Sequence, residues 1–122
     1  MQERRSYIRY EVEGCVNLIT EEDTPYTVKS DLKDIGYVGI TVHANEKIEV
    51  GKDVKFELIT KFGIQPVIGK GKIKNVQEIK KYGSNFYRLG IEFIDIDKVT
   101  IKDILTRILE DICEATRRKR TY

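Results

Sequence analysis

The stretch Pro66-Val-Ile-Gly-Lys-Gly-Lys-Ile-Lys-Asn-Val76 decides the fold. Val67, Gly69, Gly71 and Ile73 fall on one side of an extended chain and Lys70, Lys72 and Lys74 on the other. That is the period of two expected of a strand with one buried face. Two glycines in the inner row remove side chains where a second backbone comes close or the sheet bends tightly, which suits a small barrel.

Working outward, the same period recurs. Downstream, after a turn at Tyr82-Gly83-Ser84-Asn85, Tyr87, Leu89, Ile91 and Phe93 alternate with Arg88, Gly90 and Glu92. Upstream, Tyr10, Val12, Gly14, Val16 and Leu18 form one row, and Tyr26, Val28, Ser30 and Leu32 a second after the turn at Glu21 to Pro25. Val38, Ile40 and Val42 form a third, and Val54, Phe56 and Leu58 follow Gly51. Six short strands with little chain between them predict a mainly β fold, an antiparallel closed or nearly closed sheet over residues 10–97. From Thr100 the period changes. Ile101, Ile104, Leu105, Ile108, Leu109, Ile112 and Ala115 form one helical stripe, placing an amphipathic C-terminal α-helix over residues 98–120. Thr100 and Asp103 resemble a capping pair at its start, and Arg117 to Arg120 suit its negative end. The stripe reads as a lid on the barrel's open end, or as a dimerisation surface.

With 122 residues the chain is long enough for one domain with one core. Apolar residues at 40% against charged residues at 34% place it outside the disordered class. No apolar run reaches the length of a membrane span, so no membrane insertion is expected. The N-terminus lacks the apolar stretch of a secretory signal, and a cytoplasmic location follows as the expectation. Cys15 and Cys113 have no metal-ligand spacing and read as reduced thiols that pack. A net charge of +2 argues against wholesale nucleic-acid binding, although cations cluster at both ends. His43 is the single histidine, and there is no zinc cluster and no P-loop, so no enzyme activity, cofactor or metal is expected.

Two short segments carry the candidate binding chemistry. Glu3-Arg-Arg-Ser-Tyr-Ile-Arg-Tyr10 gathers Arg4, Arg5 and Arg9 just ahead of the first strand, on an N-terminal arm over residues 1–10. A guanidinium suits phosphate and also the O6/N7 edge of guanine, each through paired hydrogen bonds. Asp34-Ile-Gly36-Tyr-Val-Gly39 joins the second and third strands. Its glycines can let backbone N–H groups converge on an anion, and Asp34 can accept the N1 and N2 donors of a guanine.

Arg5-x-x-x-Arg9 followed by Asp34-x-Gly36-x-x-Gly39 resembles the paired motifs of the PilZ domain family, R-x-x-x-R and D/N-x-S-x-x-G. Leu89-Gly-Ile-Glu-Phe93 is similar to a segment frequent in that family's last strand, and the likeness runs from about Glu3 to Asp97. The resemblance implies a six-stranded antiparallel split or Greek-key barrel that binds cyclic di-GMP, a bacterial second messenger, often as a stacked dimer. It implies that Arg5 and Arg9 clamp guanine and phosphate, that Asp34 binds guanine, that Gly39 keeps the bend open, and that Arg4 adds a phosphate contact. One position departs from the pattern: Gly36 stands where the family has serine.

The expected function is therefore a non-enzymatic cyclic di-GMP receptor whose arm and surface change on binding and signal to a protein partner, with a homodimer as a possible assembly. The alternative is a degenerate PilZ-type adaptor that has lost the nucleotide with its serine. A third reading, single-stranded nucleic acid on the row Lys70, Lys72 and Lys74, lacks the aromatics that stack bases. The chain begins close ahead of Arg4, so no regulatory or output domain is expected before the barrel.

Overall fold

The computed structural model describes residues 8–119. Six strands run in chain order: β1 (Arg9–Thr20), β2 (Thr27–Gly36), β3 (Gly39–Ala44), β4 (Asp53–Ile59), β5 (Val67–Lys81) and β6 (Ser84–Asp95). They are followed by the helix α1 (Lys98–Lys119). Every pairing is antiparallel, and the order β1-β2-β3-β6-β5-β4 closes on itself because β4 also pairs with β1. The neighbours β4-β1-β2-β3 form a Greek key, with β3 joined to β4 across one end of the barrel. Closure leaves no long edge to pair with another chain.

Most of the inner rows read from the sequence form the core, except that Tyr26 and Val38, at strand ends, are exposed. Val16, Leu18, Val28, Leu32, Val42, Phe56, Leu58, Ile73, Leu89 and Ile91 are all buried. Each fully buried side chain of this size contributes about 1.5–3 kcal/mol. The glycines of β5 have the role their row implied. A Cβ on Gly69 would stand 2.7 Å from the Phe56 ring, and one on Gly71 2.5 Å from Ile91 Cγ2. Their absence lets Phe56 lie against the β5 backbone and stack on Phe93, ring centroids 5.6 Å apart. The β5–β6 hairpin turns on Tyr82 (φ 53°) and Gly83 (φ 77°), the two left-handed positions that a two-residue turn matched to strand twist requires.

α1 begins at Lys98, where the expected helix starts, but Thr100 is not its cap. The cap is Asp97: its carboxylate accepts from the Val99 N–H at 3.0 Å and from the Thr100 hydroxyl at 3.0 Å. Thr100 is thus spent on Asp97, and Asp103 instead pairs with Arg107 one turn on. Ile101, Ile104 and Ile108 join the barrel core, so the first half of α1 is a lid. Beyond it Leu109 and Ile112 are about half exposed. Cys15 and Cys113 are both exposed, against the expectation that they pack: Cys15 occupies the outer register of β1 and Cys113 lies off the helical stripe.

Candidate functional site

Register slips in three strand pairs gather around one patch of the barrel's outer wall. They fall between Glu11 and Gly14 on β1, between Leu32 and Asp34 on β2, and between Ile73 and Asn75 on β5. Strict alternation would send Asp34 inward two residues after Leu32, and Asn75 inward two residues after Ile73. The extra residues, Lys33 and Lys74, turn both side chains to the outside. Asp34 then pairs with Thr41, Thr41 with Gly90 and Gly90 with Asn75. That is one row across four strands, roughly 14 Å long at the usual strand spacing.

Arg9 lies over one end of this row. Its Nε donates to Asp34 Oδ1 at 2.9 Å and its Nη2 to Thr41 Oγ1 at 3.3 Å. The Arg9 and Asp34 side chains are only 21% and 16% exposed. Arg9 was expected on the arm, but it is the first residue of β1, in register with Gly36. From β6, Arg88 Nη2 approaches the other oxygen, Asp34 Oδ2, at 3.9 Å. Arg9, Thr41, Lys74, Asn75, Arg88 and Glu92 surround an open cleft of about 250 Å³.

Gly36 and Gly39 sit at this patch for a reason other than the one expected. Among the described residues only Gly51 and Gly83 are glycines with positive φ, so residues 34–39 form no left-handed nest. Gly39 instead lets β3 approach β6, since a Cβ there would fall on the Ile91 carbonyl oxygen. Gly36 leaves room for the arm's exit: a Cβ would stand 3.1 Å from Ile8 O and 3.2 Å from Arg9 Cγ. Between the glycines, Val38 O accepts from the Phe93 N–H at 2.8 Å and Tyr37 O from Lys98 Nζ at 2.8 Å. The bend is therefore tied both to β6 and to the start of α1. Arg4 and Arg5 lie outside the described residues.

The structure thus joins Arg9, Asp34, Gly36 and Gly39, and adds Thr41, Asn75 and Arg88, which sequence reasoning missed, beside Lys74, which it had placed only in the lysine row. On an exposed strand face an arginine, threonine or asparagine carries no signal of its own. Only the register reveals that they face Asp34.

Two other features lack this chemistry. A larger groove of about 1030 Å³ runs between α1 and the β1–β2 wall, but it carries Glu11, Glu13, Asp31 and Asp111 against Lys33 and Lys61, a poor lining for phosphate. The lysine row of β5 is neutralised in place: Lys70 lies 3.7 Å from Glu21, Lys72 2.8 Å from Asp53 and Lys74 3.6 Å from Glu92. No group of His, Cys, Asp and Glu able to hold a metal ion occurs among the described residues. No helix among them is long and apolar enough to cross a membrane.

Fold and site together define a small closed β-barrel with an arginine–carboxylate cluster on its outer wall and a helical lid. The sequence model of the PilZ domain matches residues 3–111, and the chain belongs to that family. The PilZ domain of YcgR from Escherichia coli, solved with c-di-GMP, superposes with a TM-score of 0.69 at 15% identity, covering 96% of this chain and 97% of that one. The K. pneumonia MrkH–c-di-GMP complex gives 0.73 at 18% identity, covering 96% of this chain and 56% of MrkH. The Bacillus subtilis inhibitor of motility, MotI/DgrA, gives 0.66 at 14% identity over 89% of this chain and 53% of that one. The chain thus spans nearly all of the YcgR domain and about half of MrkH and MotI. Comparison with curated protein sequences returned no match.

Proposed function

We propose that the chain is a receptor for cyclic di-GMP, with no chemistry of its own, that binds the nucleotide on the outer wall around Arg9 and Asp34. The observation that carries this reading is the meeting of Arg9, Asp34 and Gly39 at a cationic cleft, in a family two of whose structural neighbours were solved with that ligand. Asp34 accepts the N1 and N2 donors of a guanine; Arg9, released from Asp34, turns to a phosphate; Arg4 and Arg5 close over the nucleotide from the arm. The hydroxyl missing at Gly36 removes one neutral hydrogen bond, worth about 0.5–1.5 kcal/mol or roughly tenfold in affinity at most. Thr41 supplies a hydroxyl on the same wall.

Binding reorders the arm and the bend, and the altered surface is read by a protein partner. Because the ligand is an intracellular messenger, the reading places the protein in the cytoplasm. Calorimetric titration with cyclic di-GMP tests it: the expected result is micromolar affinity or better in the full chain, lowered about tenfold or more in both Arg9→Ala and Asp34→Ala, each of which loses a charge-assisted contact. Absence of heat at tens of micromolar, or wild-type affinity in both variants, overturns it.

A second reading, an adaptor that works by protein contact without nucleotide, is favoured by the half-exposed Leu109 and Ile112 on the distal half of α1. Its assembly, whether a homodimer or a complex with another protein, would be indifferent to cyclic di-GMP.

A further inference from the structure

Arg88 is the cation whose donors remain to be used. Arg9 spends Nε on Asp34 and Nη2 on Thr41. Arg88, with a side chain 44% exposed, makes no side-chain hydrogen bond among the described residues, and its ion pair with Asp34 stands at 3.9 Å, beyond hydrogen-bond length. Five N–H donors in a planar fork thus border the cleft beside the Asp34 carboxylate, while the cleft's Glu92 is paired with Lys74. Next to Arg88 the floor is Gly90 covered by the Asn75 amide, whose Oδ1 lies 2.6 Å from where a Cβ would be.

Guanine carries its polar groups in a fixed sequence around the ring: the N2 and N1 donors, then the O6 acceptor, then the N7 acceptor. A carboxylate that takes N1 and N2 places its neighbour against O6 and N7. That neighbour, on the Oδ2 side of Asp34, is Arg88. O6 and N7 together form the edge that a guanidinium grips with two parallel hydrogen bonds. From this geometry we infer that Arg88 is a base-reading residue, gripping O6 and N7 of the guanine whose N1 and N2 donors Asp34 accepts. Guanine is then selected by a carboxylate on β2 and a guanidinium on β6, with β3 between them. Adenine would offer the carboxylate an acceptor at N1 and the guanidinium a donor at N6, a mismatch at both contacts. The assignment rests on the cyclic di-GMP reading and assigns the guanine specificity of that site.

The test is calorimetric titration of the full chain, wild type, Arg88→Ala and Arg88→Lys, with three probes: cyclic di-GMP, its 7-deaza derivative in which a C–H replaces N7, and cyclic di-AMP. Wild type is expected to prefer cyclic di-GMP over the 7-deaza compound by about tenfold, the size of one good base contact, and to show no affinity for cyclic di-AMP at the same concentrations. Arg88→Ala is expected to bind cyclic di-GMP about tenfold more weakly and to lose at least about threefold of the preference over the 7-deaza compound; Arg88→Lys, a point charge without the fork, recovers affinity in part but not the preference. A merely structural arginine would weaken both ligands equally. An unchanged N7 preference in Arg88→Ala, or wild-type affinity in that variant, overturns the role of Arg88 while leaving the receptor reading in place. A wild type silent toward cyclic di-GMP overturns both.

Discussion

Asp34 is held by two cations from two directions, Arg9 on one oxygen and Arg88 on the other, so a base can take it only by displacing one of them. Displacing Arg9 breaks a largely covered ion pair, and under the proposed function the base re-pairs Asp34 while the freed guanidinium takes a phosphate. His43 lies beside this cluster, in register with Asp31 on one side and Arg88 on the other, and 5.0 Å from the Phe86 ring between centroids. Its Nε2 is shielded from solvent and makes no hydrogen bond among the described residues. Burial, and then Lys33 and Arg88, hold its pKa below the ordinary 6.5, with Asp31 opposing. The unfolded chain therefore takes the proton more readily than the folded one. Stability is fully present above pH 6.5 and is lost as pH falls through the lower folded value. The expected outcome is that the urea midpoint of the wild type falls more steeply than that of His43→Gln between about pH 7 and pH 5, while the two run parallel above about pH 7.5. Parallel curves throughout would mean that His43 does not titrate differently in the two states.

At the scale of elements, α1 is two surfaces end to end. Ile101, Ile104 and Ile108 are buried against the barrel, whereas Leu109 and Ile112 continue the stripe past the point where the barrel supports it. A glutamate at 108 puts a charge into the core and is expected to destabilise the fold by about 3 kcal/mol or more, read as a large drop in melting temperature. A glutamate at 112 should change stability by less than about 1 kcal/mol and reduce any self-association or partner binding seen by size-exclusion chromatography and light scattering. Equal melting temperatures for Ile108→Glu and Ile112→Glu would refute this division. The strands, the closed barrel and the helical stripe were legible in the sequence because each rests on a period that survives small errors of boundary. The bulges were not. One extra residue, Lys33 or Lys74, leaves composition and motif spacing untouched yet moves Asp34 and Asn75 to the other face of the sheet. Motif spacing therefore named Arg9 and Asp34, and the register alone supplied Thr41, Asn75 and Arg88. The helix cap was misassigned for a related reason: Thr100 looks like a cap in sequence, but its hydroxyl is already bonded to the true cap, Asp97.

Across the whole molecule, one side chain ties the bend that follows Asp34 to the lid that carries Leu109 and Ile112. Lys98 donates to Tyr37 O at 2.8 Å, and its ammonium lies 4.3 Å from the Tyr37 ring centroid and 5.5 Å from that of Phe93. It joins the first residue of α1 to the bend between Gly36 and Gly39. Under the proposed function, a ligand that pulls on Asp34 would shift this bend, and Lys98 is a direct contact through which the shift would reach the helix. In Lys98→Met the apolar stem remains while the hydrogen bond and the cation–π contacts are gone, a loss of about 1–2 kcal/mol. Hydrogen exchange should then separate two responses to saturating cyclic di-GMP. In the wild type, protection changes both at residues 34–41 and in the first turns of α1, at residues 98–105. In Lys98→Met, the change at 34–41 persists and that in α1 is reduced to a fraction. If the helix responds equally in both proteins, the signal passes by another route, for which the Phe93 N–H to Val38 O bond between β6 and the bend is the remaining direct link. If the helix responds in neither, the surface that a partner reads is confined to the arm and the outer wall, and α1 is a lid alone.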